Sequence, residues 1–167
     1  MKTIDEIAAD KILDLLHQVL AKIFKPDITI DKVSELNKER IKQLKAKYGI
    51  EALILDVDRT LRKEMKSIPK CNQEWLEDIK GELKIIILSN GMDKKIEKYF
   101  KEKGIDYIGF ANKPLKGNFF KACKKLDVNP ENVLMVGNSL FLDIYGGKRN
   151  NMKTALVKDV EKTPSER

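Results

Sequence analysis

The chain has 167 residues, 35% charged and 42% hydrophobic, with 33 Lys and Arg against 26 Asp and Glu for a net charge of +7. That length and balance exclude an unstructured chain and two domains of ordinary size, and describe one globular domain with its own core. A basic surface favours anionic partners such as phosphate esters, nucleic acid or anionic lipid, and a lysine-rich solvated surface also accounts for it.

Ile4, Ile7, Ala8, Ile12, Leu15, Leu16, Val19, Leu20 and Ile23 recur at three- and four-residue spacing, which predicts one amphipathic helix over 4–24. Its polar face is mixed (Asp5, Glu6, Asp10, Lys11, Asp14), whereas interfacial helices carry a basic face, so packing on the core or on another subunit is expected. His17, the single histidine, lies there without a ligand set and reads as helix surface. After Lys25-Pro26-Asp27, Asp31 is expected to cap a second helix through Val33, Leu36, Ile41 and Leu44 to Tyr48, ended by Gly49. Its basic stretch Lys38 to Lys47 lacks aromatic residues to stack on bases, so a solvated face is expected and nucleic acid is not.

From Gly49 onward strands alternate with helices: strands over 52–56, 84–89, 107–111, 133–137 and 154–157, helices over 72–80, 93–103, 117–126 and 140–148. Alternation of this kind predicts an α/β fold, a Rossmann-like three-layer sandwich around a mostly parallel five-stranded sheet with right-handed crossovers. Residues 1–25 are expected as the N-terminal helix and 26–167 as a single domain. Cys71 and Cys123 form no paired motif, and no apolar run is long enough for a transmembrane span or signal peptide. A cytoplasmic protein is expected, with a peripheral membrane location left open.

Polar residues then collect at strand ends. The apolar run Ala52 to Leu55 leads into Asp56-Val57-Asp58-Arg59-Thr60, and two carboxylates at the end of a doubly buried strand repel each other unless a cation compensates. Ile85 to Leu88 leads into Ser89-Asn90-Gly91 ahead of a helix, where a hydroxyl and free N–H groups suit a phosphate, although Ser and Asn are also ordinary helix caps. A third strand ends at Asn112-Lys113-Pro114, and a fourth at Gly137-Asn138 with Asp143 five residues on. Gathered on one sheet edge, carboxylates, a hydroxyl cradle and a lysine suit metal-assisted phosphoryl transfer.

These four segments resemble, in order, the four motifs of the haloacid dehalogenase superfamily of phosphohydrolases. Pro26, the Ile28–Ile30 run and Asp143 to Arg149 are further similar to the small subclass IIIA, YqeG-like group, which is related to phosphatidylglycerophosphate phosphatases. The resemblance covers Pro26 to Lys158 and implies an Mg²⁺-dependent phosphomonoester hydrolase. It implies Asp56 as nucleophile forming an aspartyl-phosphate, Asp58 as acid and base, and Lys113 as the stabilising cation. Thr60, Ser89 and Asn90 would support or bind the phosphoryl group, and Asp56, Asp58, Asn138 and Asp143 would hold Mg²⁺. The family motif has Gly-Asp where this chain has Gly137-Asn138, which removes one negative charge and implies weaker metal binding.

The intervals between the first three motifs hold too little for a cap domain, so the site is expected to be open to a large or surface-presented substrate, such as a lipid phosphate. The flap Leu61 to Lys70 offers Arg62, Lys63, Lys66 and Lys70 to an anionic substrate. The partners expected are a phosphorylated substrate, in solution or at a membrane surface, and a second subunit through the N-terminal helix. The alternative function is a catalytically weak or inactive module binding RNA or a protein through its basic surface.

Overall fold

The computed structural model describes residues 3–158, so the ends of both expected domains, residues 1–2 and 159–167, lie outside the described residues. Six strands form one wholly parallel sheet: β1 (Ile28–Ile30), β2 (Ala52–Leu55), β3 (Lys84–Leu88), β4 (Asp106–Ile108), β5 (Val133–Gly137) and β6 (Lys153–Val157), in the order β1-β6-β5-β2-β3-β4. This is one strand more than the five expected. The addition, β1, is only three residues long and pairs with β6 at the edge. Asp27 fastens it there: Asp27 N donates to Thr154 O (3.0 Å), and Thr154 N donates to Asp27 Oδ2 (2.8 Å).

Side chains alternate across a strand, and β2 uses both faces. Leu53 and Leu55 belong to one apolar cluster with α2 (Lys38–Tyr48), α3 (Lys70–Ile79) and α4 (Lys94–Glu102), through residues such as Ile41, Trp75 and Phe100. Ala52 and Ile54 belong to the other, with Phe119, Ala122 and Leu126 of α5 (Lys116–Leu126). Helices on both faces of a parallel sheet make the three-layer sandwich, and no cap domain interrupts it among the described residues. β2 sits where the strand order turns, with β3 on one side and β5 on the other, so the crevice beyond its carboxyl end is the ligand position of such sheets.

Three local expectations change. The second helix does not begin at Asp31: Val33–Glu35 forms a short 3₁₀ turn, the backbone leaves helical geometry at Leu36, and Asn37 Oδ1 caps α2 by accepting from Arg40 N (2.9 Å). The expected strand 107–111 stops at Ile108, because Phe110 and Asn112 have φ of 49° and 52° and cannot continue a ladder. The last expected helix divides into a π-helical turn, Leu140–Tyr145, and the short α6, Gly146–Arg149.

The N-terminal helix α1 (Ile4–Phe24) is closed by a Thr3–Glu6 capping box but buries none of its residues. Packing on the core or on another subunit was expected of its apolar stripe, and packing on the core is not seen. Instead only its last turn meets the fold, where the Phe24 ring lies 5.5 Å from that of Tyr145. Lys25 and Pro26 then connect α1 to β1. No helix among the described residues is long and apolar enough to cross a membrane.

Ile54 is fully buried at the centre of the sheet. Ile54→Ala should therefore lower unfolding stability by about 2–5 kcal/mol, measured by chemical denaturation.

Candidate active site

The carboxyl edge of the sheet gathers the strand-end residues into one open cleft of about 460 Å³, whose walls include Asp56, Asp58, Ser89, Lys113, Asn138 and Asp143. At its floor Lys113 Nζ lies 2.7 Å from Asp56 Oδ1 and 2.7 Å from Asp143 Oδ1, and the Lys113 and Asp143 side chains are each only 1% exposed. Three separate segments thus meet in one buried ion triad. The second oxygens are also held: Thr60 Oγ1 donates to Asp56 Oδ2 (3.1 Å), and Ser139 N donates to Asp143 Oδ2 (3.1 Å).

Local structure explains this convergence. Asp56 N donates to Val136 O (3.0 Å), which carries β2–β5 pairing one residue past the strand to Asp56. Asn90 holds the lysine loop from β3: its Oδ1 accepts from Lys113 N (2.7 Å) and its Nδ2 donates to Lys113 O (3.2 Å). The Lys113–Pro114 peptide is cis. Asp143 gets in because position 137 is glycine: a Cβ there would stand 2.2 Å from Asp143 Oδ2. In the π-helical turn, Ser139 O accepts from both Asp143 N and Ile144 N (3.0 and 3.1 Å), a widened turn of the kind found at functional sites.

Burial pushes the Asp56 carboxyl up, and the charge of Asp143 adds to that. Lys113 and Thr60 pull it partly back, leaving it at about 6. Burial alone would push Lys113 down, but Asp143 and Asp56 outweigh it and hold the ammonium above its ordinary value. Two carboxylates against one ammonium leave an excess of negative charge facing the cleft.

Asp58 stands apart from the triad. Its Oδ1 accepts from Arg62 Nε (2.8 Å) and from Met65 N (3.2 Å). Arg62 was expected as a loop cation open to substrate; it is instead 3% exposed and turned inward to ion pairs with Asp58 and Asp93. The Asp93 partnership was absent from the sequence reading. The one available signal was Asp93 at the start of a helix, and capping alone explains that. Ser89 is buried beside Gly91 at the cleft wall, whereas Asn138 is half-buried there. Lys63 and Lys70 do not line the cleft.

The haloacid dehalogenase-like hydrolase family profile matches residues 30–151, most of the chain. The chain belongs to this family of hydrolases, and it is an enzyme of the phosphatase type within it. Among its relatives, the probable phosphatase YqeG of Bacillus subtilis (strain 168) is 29% identical over 142 residues, covering 83% of this chain and 80% of the relative. The glyceraldehyde 3-phosphate phosphatase of Pyrococcus furiosus is 38% identical over 64 residues, 38% of this chain but 27% of the relative. An HAD-like family hydrolase from Porphyromonas gingivalis shares the fold at 10% identity, with a TM-score of 0.55 over 68% of this chain and 93% of its own.

Removing the ammonium leaves two buried carboxylates unneutralised, so Lys113→Ala should cost about 3–5 kcal/mol of stability in denaturant titrations at neutral pH. The raised Asp56 carboxyl has its own signature. Between the unfolded value of about 4 and the folded value of about 6, the native chain keeps a proton that the unfolded chain has shed. Metal-free wild-type protein should therefore lose stability as pH rises through that window and level off above it. Melting curves of Asp56→Asn should lack this component, and an unchanged pH slope would contradict it.

Proposed function

We propose that the chain is an Mg²⁺-dependent phosphomonoester hydrolase working through an aspartyl-phosphate on Asp56. The observation that carries this reading is the buried contact of Lys113 Nζ with Asp56 Oδ1, which fixes a carboxylate at the carboxyl end of β2 and places a cation beside it. A nucleophilic carboxylate in this position attacks phosphorus while Lys113 offsets the charge that develops on the phosphoryl oxygens. Ser89 Oγ and the main-chain N–H of Asn90 receive those oxygens; the Asn90 side chain is engaged with Lys113 and serves as a clamp. Thr60 orients Asp56 through its hydroxyl. Asp58 gives a proton to the departing alcohol and later takes one from the water that hydrolyses the aspartyl-phosphate.

The donor set fits Mg²⁺. Among the described residues, the cleft lining holds carboxylate and amide side chains, the oxygen ligands that suit a hard cation, and no histidine or cysteine. Asp56 and Asp143 provide hard carboxylate oxygens with surplus negative charge, and the Asp58 carbonyl and the Asn138 amide oxygen complete the protein's share. When bound, Mg²⁺ would neutralise phosphoryl charge and orient the ester. With Asn138 in place of a carboxylate, affinity should be modest.

The substrate we infer is an amphiphile carrying a terminal phosphate, such as the lipid phosphatidylglycerophosphate. Met65, Met92, Phe110, Leu115, Leu140 and Phe141 are all exposed; the first four lie in loops, and Leu140 and Phe141 begin the π-helical turn that follows β5. They lie outside the lining of the cleft itself, which no cap covers among the described residues, and they are the exposed apolar surface we read as taking the acyl chains. Hydrolysis of an aryl phosphate with Mg²⁺ should fall by about 10³-fold or more in Asp56→Asn, and should cease with chelator. Equal rates in the two proteins would leave the non-catalytic binding module as the reading. Phosphate release from vesicles bearing phosphatidylglycerophosphate should exceed that from soluble glycerol phosphate, and vesicles that lose no phosphate would remove the lipid assignment.

A further inference from the structure

Arg62 sits in the middle of a line of charge that runs from helix α4 to the cleft. Its Nε donates to Asp58 Oδ1 (2.8 Å), while Nη1 donates to Asp93 Oδ2 (2.9 Å) and to Lys66 O (3.0 Å). Asp93 is itself fixed, because its other oxygen, Oδ1, caps α4 by accepting from Lys95 N (2.9 Å) and Ile96 N (3.3 Å). The Arg62 guanidinium is thus held by three acceptors, out of reach of solvent, at a position 31 residues away from Asp93 in the chain. Among the described residues, the contacts made by the Asp58 carboxyl, from Arg62 and from Met65 N, both fall on Oδ1.

We propose that Arg62, braced by Asp93, is a positioning residue that fixes Asp58 by one oxygen and reserves Oδ2 for proton transfer. The proposal rests on the reading of Asp58 as the acid and base of a phosphatase. In the first step Oδ2 gives its proton to the ester oxygen as the P–O bond to the alcohol breaks and the Asp56–phosphorus bond forms. In the second step the same oxygen takes a proton from water as the water oxygen bonds phosphorus and the Asp56–phosphorus bond breaks, which restores both carboxyls. A planar guanidinium gripped from behind sets direction as well as distance, which a flexible ammonium does not. Two consequences follow for catalysis. Poor leaving groups, which need the proton, depend on Arg62 in the first step; good ones depend on it only in the second.

The test compares p-nitrophenyl phosphate with a simple alkyl phosphate, using wild type, Arg62→Met, Arg62→Lys and Asp93→Asn. Arg62→Met should lower kcat/KM for the alkyl ester by about 10²-fold, the scale of general acid catalysis, and leave the aryl ester within a few-fold. With the aryl ester it should also release a burst of nitrophenolate before a slow steady state, as phosphorylated Asp56 accumulates. Arg62→Lys should recover part of the alkyl activity. Asp93→Asn keeps an oxygen to cap α4 but turns an NH2 donor toward Arg62, so it removes both the charge and the acceptor behind the guanidinium and should show the same selective loss even if Arg62→Met folds poorly. An equal fall for both esters in Asp93→Asn, or no change in either variant and no burst, would overturn the positioning role alone. Wild-type protein without Asp56-dependent turnover of either ester would overturn the phosphatase reading and this inference with it.

Discussion

The buried ammonium of Lys113 between Asp56 and Asp143 is the contact on which the carboxyl edge of this sheet depends. Charges out of water are tolerated only when paired and hydrogen-bonded, and each oxygen of the two carboxylates has such a partner. The other local features follow from that requirement. Asn90 grips the backbone of Lys113, Gly137 leaves the space that Asp143 fills, and the widened turn after Ser139 points Asp143 inward. A triad of this kind contributes little net stability against apolar packing, so its justification lies in what it holds ready. What it holds is a carboxylate kept close to a cation in a cleft that water and substrate can enter.

Much of this was legible in the chain. The run Ala52 to Leu55 announced a strand covered on both faces, and the charged residues after it had to emerge at an edge; both faces of β2 are buried as that pattern requires. The alternation of later segments fixed the parallel sheet. Other parts carried no local signal. Three residues, Ile28–Ile30, are too few for periodicity, and β1 is defined by its pairing with β6 and by the Asp27–Thr154 contacts far along the chain. The break between the 3₁₀ turn and α2 comes where Leu36 leaves helical geometry and its carbonyl accepts from Trp75 Nε1 (2.9 Å), again a tertiary contact. Arg62 looked like one cation among several in a basic flap. Its inward turn depends on Asp93, which only the folded sheet brings near. The uncovered stripe of α1 shows the converse case, where periodicity was read correctly but periodicity does not name a partner.

The charge of the chain is distributed with similar logic. The net +7 is not concentrated at the cleft, whose floor is acidic on balance and whose buried cation, Lys113, is paired with Asp56 and Asp143. Exposed methionine, leucine and phenylalanine side chains stand in the loops and the π-helical turn that follow the strands, outside the lining of the cleft.

Asp93 occupies two structures at once, with one oxygen on the first turn of α4 and the other on Arg62. Helix starts are where native structure opens first, at a fraction of the free energy needed to unfold the sheet. Fraying at this one end would slacken the grip on Asp58 while the sheet and the Lys113 triad stayed intact. On the proposed role of Asp58, warming would then dull proton transfer ahead of the melting transition, and the upper temperature of use would be set by the first turn of one nine-residue helix and not by the core beneath it.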